Sequence, residues 1–137
     1  MSPAAIPSDV ELVAAARANI ARAYSPYSKF KTGAVVVTDE GALVDGTIVE
    51  NVSLGLAMCA ERVALFNAVT AGARPSALVL AAPDTAGSVT WPCGACLQVA
   101  LELGGPDLAV VVGDAHDGPA HRAVVADLLP RGPRVER

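Results

Sequence analysis

The chain has 137 residues, 53% hydrophobic and 18% charged, the size and composition of one folded domain spanning residues 1–137 and not of a disordered segment. A formal net charge of −4 with no run of Lys or Arg argues against a binder of nucleic-acid backbone, and no apolar run nears the roughly 20 residues needed to cross a bilayer. The N-terminal stretch MSPAAIPSDVE lacks a cationic region followed by an apolar one, so a cytoplasmic setting is expected.

Ser8 followed by Glu11 fits a capping box, and Val13, Ala16, Ile20 and Tyr24 recur at helical spacing, which predicts a helix over 8–24 stopped by Ser25-Pro26. The β-branched run from Gly33 through Val37, the turn Asp39-Glu40-Gly41 and the extended pattern from Ala42 to Glu50 predict a hairpin. Met58 to Ala71 reads as a second helix, with Cys59, Arg62, Phe66 and Val69 on one face and Gly72 closing it. The apolar run Ser76 to Ala82 predicts a buried strand, Pro92 to Leu103 a third helix ended by Gly104-Gly105-Pro106, and Leu108 to Val112 another strand. Strands alternating with helices imply an α/β fold whose sheet is covered on both faces, with right-handed crossovers. Aromatics make up only 4%, so the core is expected to be built of small, closely packed side chains. The tail after Leu129, PRGPRVER, is expected to be ordered only by contact with something else.

The three cysteines, Cys59, Cys93 and Cys96, are an odd count with two of them in a C-x-x-C, which fits metal or redox chemistry better than a disulfide framework. Cys59-Ala60-Glu61 and Pro92-Cys93-Gly94-Ala95-Cys96 each fall where a predicted helix begins, and helix N-termini favour thiolate over thiol. Three thiolates suit Zn²⁺, whose catalytic sites commonly keep three protein ligands and one open position. Glu61, two residues past Cys59, is better placed beside a metal than on it, where a carboxylate can move protons between water and substrate. This combination resembles the signature of zinc deaminases. Simpler readings stay open. The cysteines could be unrelated core residues or a structural zinc site, although His116 and His121, the only histidines, sit in a turn-rich region and are expected at the surface. Glu61 could serve only the helix dipole, Arg62 could be solvated, Phe30 could be plain core and Glu50 a hairpin surface residue. Trp91 is either an interface residue or a pocket wall.

Over nearly its whole length the chain resembles the small cytidine deaminase family. The matching stretches are AYSPYSKFKTGA at 23–34, VENVSLG at 49–55, CAER at 59–62, PCGACLQV at 92–99 and DLLP at 127–130. The resemblance implies a three-layer α/β/α sandwich with a mixed five-stranded sheet. It also implies a homotetramer with active sites at subunit interfaces, and hydrolytic conversion of the amino group of cytidine, deoxycytidine or a close analogue to a carbonyl. By the same resemblance one zinc would be held by Cys59, Cys93 and Cys96, with Glu61 as proton shuttle. Arg62 would offset the thiolate charge, while Phe30, Glu50 and Ala60 would meet the substrate. At four positions the chain departs from the family pattern: Ile48 stands where an Asn is usual, Leu54 for an aromatic, Leu97 for an Arg, and Pro133 where an aromatic commonly follows LLP. The groups for chemistry are kept and several for holding a nucleoside are not, so deamination of a free base or another amino-substituted heterocycle is the alternative, and a catalytically silent member is disfavoured by the retention of Glu61.

Overall fold

The computed structural model describes residues 7–135. The first six residues, part of the stretch read for a leader, and the last two of the tail lie outside them. The elements in chain order are α1 (Asp9–Ala18), β1 (Gly33–Thr38), β2 (Leu43–Thr47), α2 (Ala60–Thr70), β3 (Pro75–Ala82), α3 (Gly94–Gly104), β4 (Ala109–Asp114), β5 (Ala120–Val124) and a single turn of helix, α4 (Val125–Leu128). Short 3₁₀ segments follow α1 at Asn19–Arg22 and precede α2 at Leu54–Leu56.

The strands form one sheet in the order β2-β1-β3-β4-β5. Only β3 and β4 pair in parallel, the other neighbours being antiparallel. Alternation along the strands divides the core in two. Val35, Val79, Ala81 and Val111 face α1 through Leu12, Val13 and Ala16. Ala34, Val36, Leu78, Leu80, Val110 and Val112 face Ala60, Ala64, Leu65 and Ala68 of α2 and Leu97, Ala100 and Leu101 of α3. This period of two, buried on both faces, makes the expected three-layer sandwich.

Small residues set the layer spacing. A Cβ on Gly46 of β2 would fall on the Ala60 carbonyl and the Ala64 amide of α2, and one on Gly33 on the Ala16 carbonyl of α1. The first helix begins as expected, with the reciprocal Ser8–Glu11 capping box, but leaves α geometry at Ala18 and not at Tyr24. The buried Asn19 amide donates to the Ala34 carbonyl and Asp45 Oδ1, and the chain tightens into 3₁₀ geometry beside Gly33. The second strand of the hairpin ends at Thr47, earlier than expected, because Val49 leaves β1 to bridge Tyr24 and Met58.

The face of α2 that enters the core is Ala60, Glu61, Ala64, Leu65 and Ala68, while Phe66 and Val69, which share a face with Cys59 and Arg62, are 42% and 52% exposed; alanines do the packing. One expectation needs correction. The tail has partners within its own chain: Gln98 Nε2 donates to the Pro133 carbonyl at 2.8 Å, and Gly132 lies against Leu101 and Leu129. Both histidines are exposed, His121 on β5.

An ion pair joins the two ends of the fold. Arg122 of β5 grips Asp9 in the first turn of α1 with two hydrogen bonds, 2.8 and 2.9 Å, and holds its carboxyl below the ordinary range. A carboxylate with a depressed folded pKa stabilises above its unfolded value of 3.8, and that contribution is lost as pH falls through the folded value. Asp9→Asn is therefore expected to cost about 0.2–1 kcal/mol at pH 7 and progressively less toward pH 2, measured by urea unfolding at each pH.

Candidate functional site

With β1 antiparallel to both β2 and β3, strands β2, β3 and β4 run in one direction. The helices connecting them, α2 and α3, thus both start at the edge where these strands end. Cys59 is the N-cap of α2 and Cys93 the N-cap of α3, neither side chain capping its own helix. Their carbonyls accept the first helical bonds, from Val63 and Leu97, which leaves both thiols free to turn toward each other. Cys96 follows one turn into α3, fully buried.

The three Sγ atoms lie within 4.8 Å of one another, with Cys93 and Cys96 at 3.5 Å. A tetrahedral zinc with bonds of about 2.3 Å sets its sulfurs roughly 3.8 Å apart. The cluster fits such an ion, and its soft donors suit zinc better than a hard cation. It is the only group of three potential His, Cys, Asp or Glu ligands among the described residues.

The surrounding charges are arranged for thiolate. Arg62 Nη2 donates to Cys59 Sγ at 3.3 Å. The Cys96 thiol and this guanidinium together bring Cys59 down to about 5 against the opposing effect of burial. The same Cys96–Cys59 bond and burial push Cys96 up, and Arg62 is held above its ordinary value chiefly by its bond to Cys59. Arg62 Nε is buried without a hydrogen-bond partner among the described residues. The guanidinium is thus held through Nη2 by its charge-assisted contact with sulfur, while its Nε–H makes no bond of its own.

Glu61, in the first turn of α2, is 5% exposed, and burial lifts its carboxyl to about 7. It opens into a pocket of about 160 Å³ lined by Cys59, Cys93, Phe30, Ile48, Thr90 and Trp91, with Thr32, Leu80 and Ala82 completing the wall. A carboxyl poised near neutrality beside a thiol cluster in a largely apolar pocket is equipped for proton transfer. A larger depression, about 670 Å³, is lined by Asp84, Asp114, Asp117 and His121 and shares with this pocket only Trp91. It contains none of the cysteines.

The region over residues 7–113 matches the cytidine and deoxycytidylate deaminase zinc-binding region. The chain belongs to that family. It is similar to the cytidine deaminases of Halalkalibacterium halodurans, 42% identical over 79% of this chain and 80% of the relative, and of Mycobacterium tuberculosis, 44% identical over 80% and 77%. The crystal structure of cytidine deaminase from Burkholderia pseudomallei is similar at 45% identity and a TM-score of 0.80, over 87% of this chain and 94% of that one. The Mycobacterium tuberculosis enzyme follows at 39% and 0.74, over 90% and 95%. Zinc is accordingly the cofactor of this family's region, and the Cys59, Cys93 and Cys96 cluster offers room for one ion per chain.

The structure thus brings Cys59, Cys93, Cys96, Glu61, Arg62 and Phe30 together, and sets Ile48 and Trp91 in the pocket wall. Two of the residues expected to meet the substrate, Ala60 and Glu50, are not among those lining this cavity. Ala60 is fully buried beneath Gly46. The Glu50 carboxylate lies outside the pocket lining and accepts from the Tyr27 and Ser28 amides at 3.0 and 3.2 Å and from the Ser28 hydroxyl. Sequence reasoning missed Thr90, whose hydroxyl donates to the Pro83 carbonyl at 2.6 Å and closes the loop leading to Trp91. Its place next to Trp91-Pro92-Cys93 was the available signal.

Proposed function

We propose that this deaminase-family chain hydrolyses the exocyclic amine of cytidine or deoxycytidine, with zinc held by Cys59, Cys93 and Cys96. The observation that carries the reading is the buried Glu61, poised at about 7, in the same pocket as the thiol cluster. Zinc, when bound, supplies a Lewis acid that makes water nucleophilic near neutral pH. Glu61 would take one proton from the water and give it to the ring nitrogen, and then take the second, from the hydroxyl added to the ring carbon, and give it to the departing amine. A C–O bond forms, the C–N bond breaks, the added oxygen becomes the carbonyl, and ammonia leaves while the ring nitrogen keeps the first proton. Arg62 tempers the negative charge of three thiolates. Phe30 presents an aromatic wall to the base, and Trp91 and Ile48 limit the far side. A cytoplasmic setting is part of this proposal, and no helix among the described residues is long and apolar enough to cross a membrane.

Replacing Glu61 by Gln keeps its shape and removes its basicity. The expected outcome is a loss of about 10²- to 10⁴-fold in ammonia release from cytidine with zinc still near one per chain by elemental analysis. Retained turnover would remove Glu61 from the mechanism.

The pocket wall bears on sugar recognition. Ile48 cannot pair with a hydroxyl, whereas a site that hydrogen-bonds one discriminates strongly for it. Ile48→Asn is expected to raise kcat/KM for cytidine by about 1–2 kcal/mol in transition-state terms while leaving cytosine unaffected. Steady-state kinetics on both substrates decide it, and a variant poorer on cytidine refutes this role for Ile48.

The assembly completes the reading as a homotetramer. A pocket of about 160 Å³ is below the roughly 300 Å³ at which sites enclose a whole ligand, so a neighbour's wall is needed. Val52, Leu54 and Leu56 stand 78%, 81% and 68% exposed beside it in chain order, the kind of apolar cluster that marks an interface. Sedimentation velocity at assay concentration is expected to show four chains per particle, and a fully active monomer would refute the assembly.

A further inference from the structure

The segment between the 3₁₀ turn after α1 and the start of β1 carries Phe30 into the pocket. Its backbone is not relaxed. Lys29, immediately before Phe30, has φ at +62°, a left-handed conformation that is unfavourable for a residue with a Cβ. Something must hold it there.

The holding contacts converge on one hydroxyl. Ser28 Oγ donates a short hydrogen bond to Glu50 Oε2, while Glu50 Oε1 accepts the amides of Tyr27 and Ser28. Ser28 Oγ in turn accepts the Phe30 amide at 3.0 Å. It also lies 3.2 Å from Ser25 Oγ, which donates to the Phe30 carbonyl at 3.3 Å. The single Ser28 proton is committed to the carboxylate and the single Ser25 proton to the Phe30 carbonyl, so the contact between the two serines carries no proton of its own. The Phe30 amide is therefore held, through Ser28 Oγ, by a chain of bonds whose anchor is the Glu50 carboxylate. That carboxylate is fixed from its own side as well: the Glu50 amide donates to the Tyr24 carbonyl, and the Tyr24 amide to the carbonyl of Ile48, another pocket residue.

We propose that Ser28 is a positioning residue for substrate binding: its hydroxyl couples Glu50 to the Phe30 backbone, so that the aromatic wall of the pocket and the acidic group beside it are set as one unit. The proposal rests on the deaminase reading, and deepens it. Three hydrogen bonds from the turn fix the Glu50 carboxylate, and Ser28 thereby sets the direction in which it is presented to a ligand hydroxyl. Ser28 itself touches neither the thiols nor Glu61, so its removal acts on binding and not on proton transfer.

The test compares Ser28→Ala with Ser28→Thr, the latter keeping a hydroxyl at this exposed position. For Ser28→Ala the expected result is a KM for cytidine at least about tenfold higher, kcat within about threefold, unchanged zinc content and a Tm within a few degrees of wild type. Amide hydrogen exchange should show loss of protection at Phe30. Ser28→Thr should return both KM and Phe30 protection close to wild type. An unchanged KM in Ser28→Ala overturns the proposal. So does a parallel fall in kcat, zinc and Tm, or a KM that Ser28→Thr fails to rescue. Wild-type enzyme run alongside separates the two levels: no ammonia release from cytidine by wild type would sink the deaminase reading itself.

Discussion

Strands β2, β3 and β4 share one direction, and the helices that link them must therefore both begin at one edge of the sheet. Every chemically interesting group in this protein depends on that constraint. The N-caps Cys59 and Cys93 are far apart in sequence, yet the two crossovers leave them facing each other across the end of β3. Both helix starts also aim unpaired amides and a partial positive charge at the same spot, which favours anionic sulfur before any cation is considered. Arg62, one turn into α2, adds a full charge to the partial one.

The same edge must also accommodate a buried carboxyl, which is costly unless the protein shifts its ionisation. Glu61 lies on the core-facing side of α2 with Ala60, Ala64, Leu65 and Ala68. The apolar contacts of that face keep it buried, and its burial is what lifts it toward neutrality. Stability and reactivity are coupled here, because the packing that makes the helix adhere to the sheet is also what tunes the acid.

How much of this could be read beforehand depended on how local the signal was. The Ser8–Glu11 cap, the turn closed at Gly41 and the Gly104-Gly105 stop are short-range devices, and each lies where its residues implied. The cysteines and Glu61 were legible because residue type and spacing carry their chemistry directly. Strand β5 was not, since His121 and Arg122 interrupt its apolar character and its pairing with β4 supplies what its composition does not. The buried face of α2 was not legible for a related reason: alanine gives little periodic contrast, and the larger Phe66 and Val69 stand on an exposed face. The engagement of Glu50 by Tyr27 and Ser28 spans more than twenty residues, and nothing in a linear pattern announces a contact of that range.

Gly46 shows how far the site extends beyond its chemistry. It sits on an edge strand, touches neither thiol nor carboxyl, and is distinguished only by having no side chain where the first turn of α2 passes. One added methyl group there would be relieved by moving α2 outward, and α2 carries Cys59, Glu61 and Arg62 at its leading end. Overpacking of this kind commonly costs about 1–3 kcal/mol, but the displacement counts for more than the energy, because sulfurs set for one ion tolerate little drift. An inert strand glycine is thus bound to the site as closely as a ligand, its tolerance to change governed by a helix that it merely lets pass.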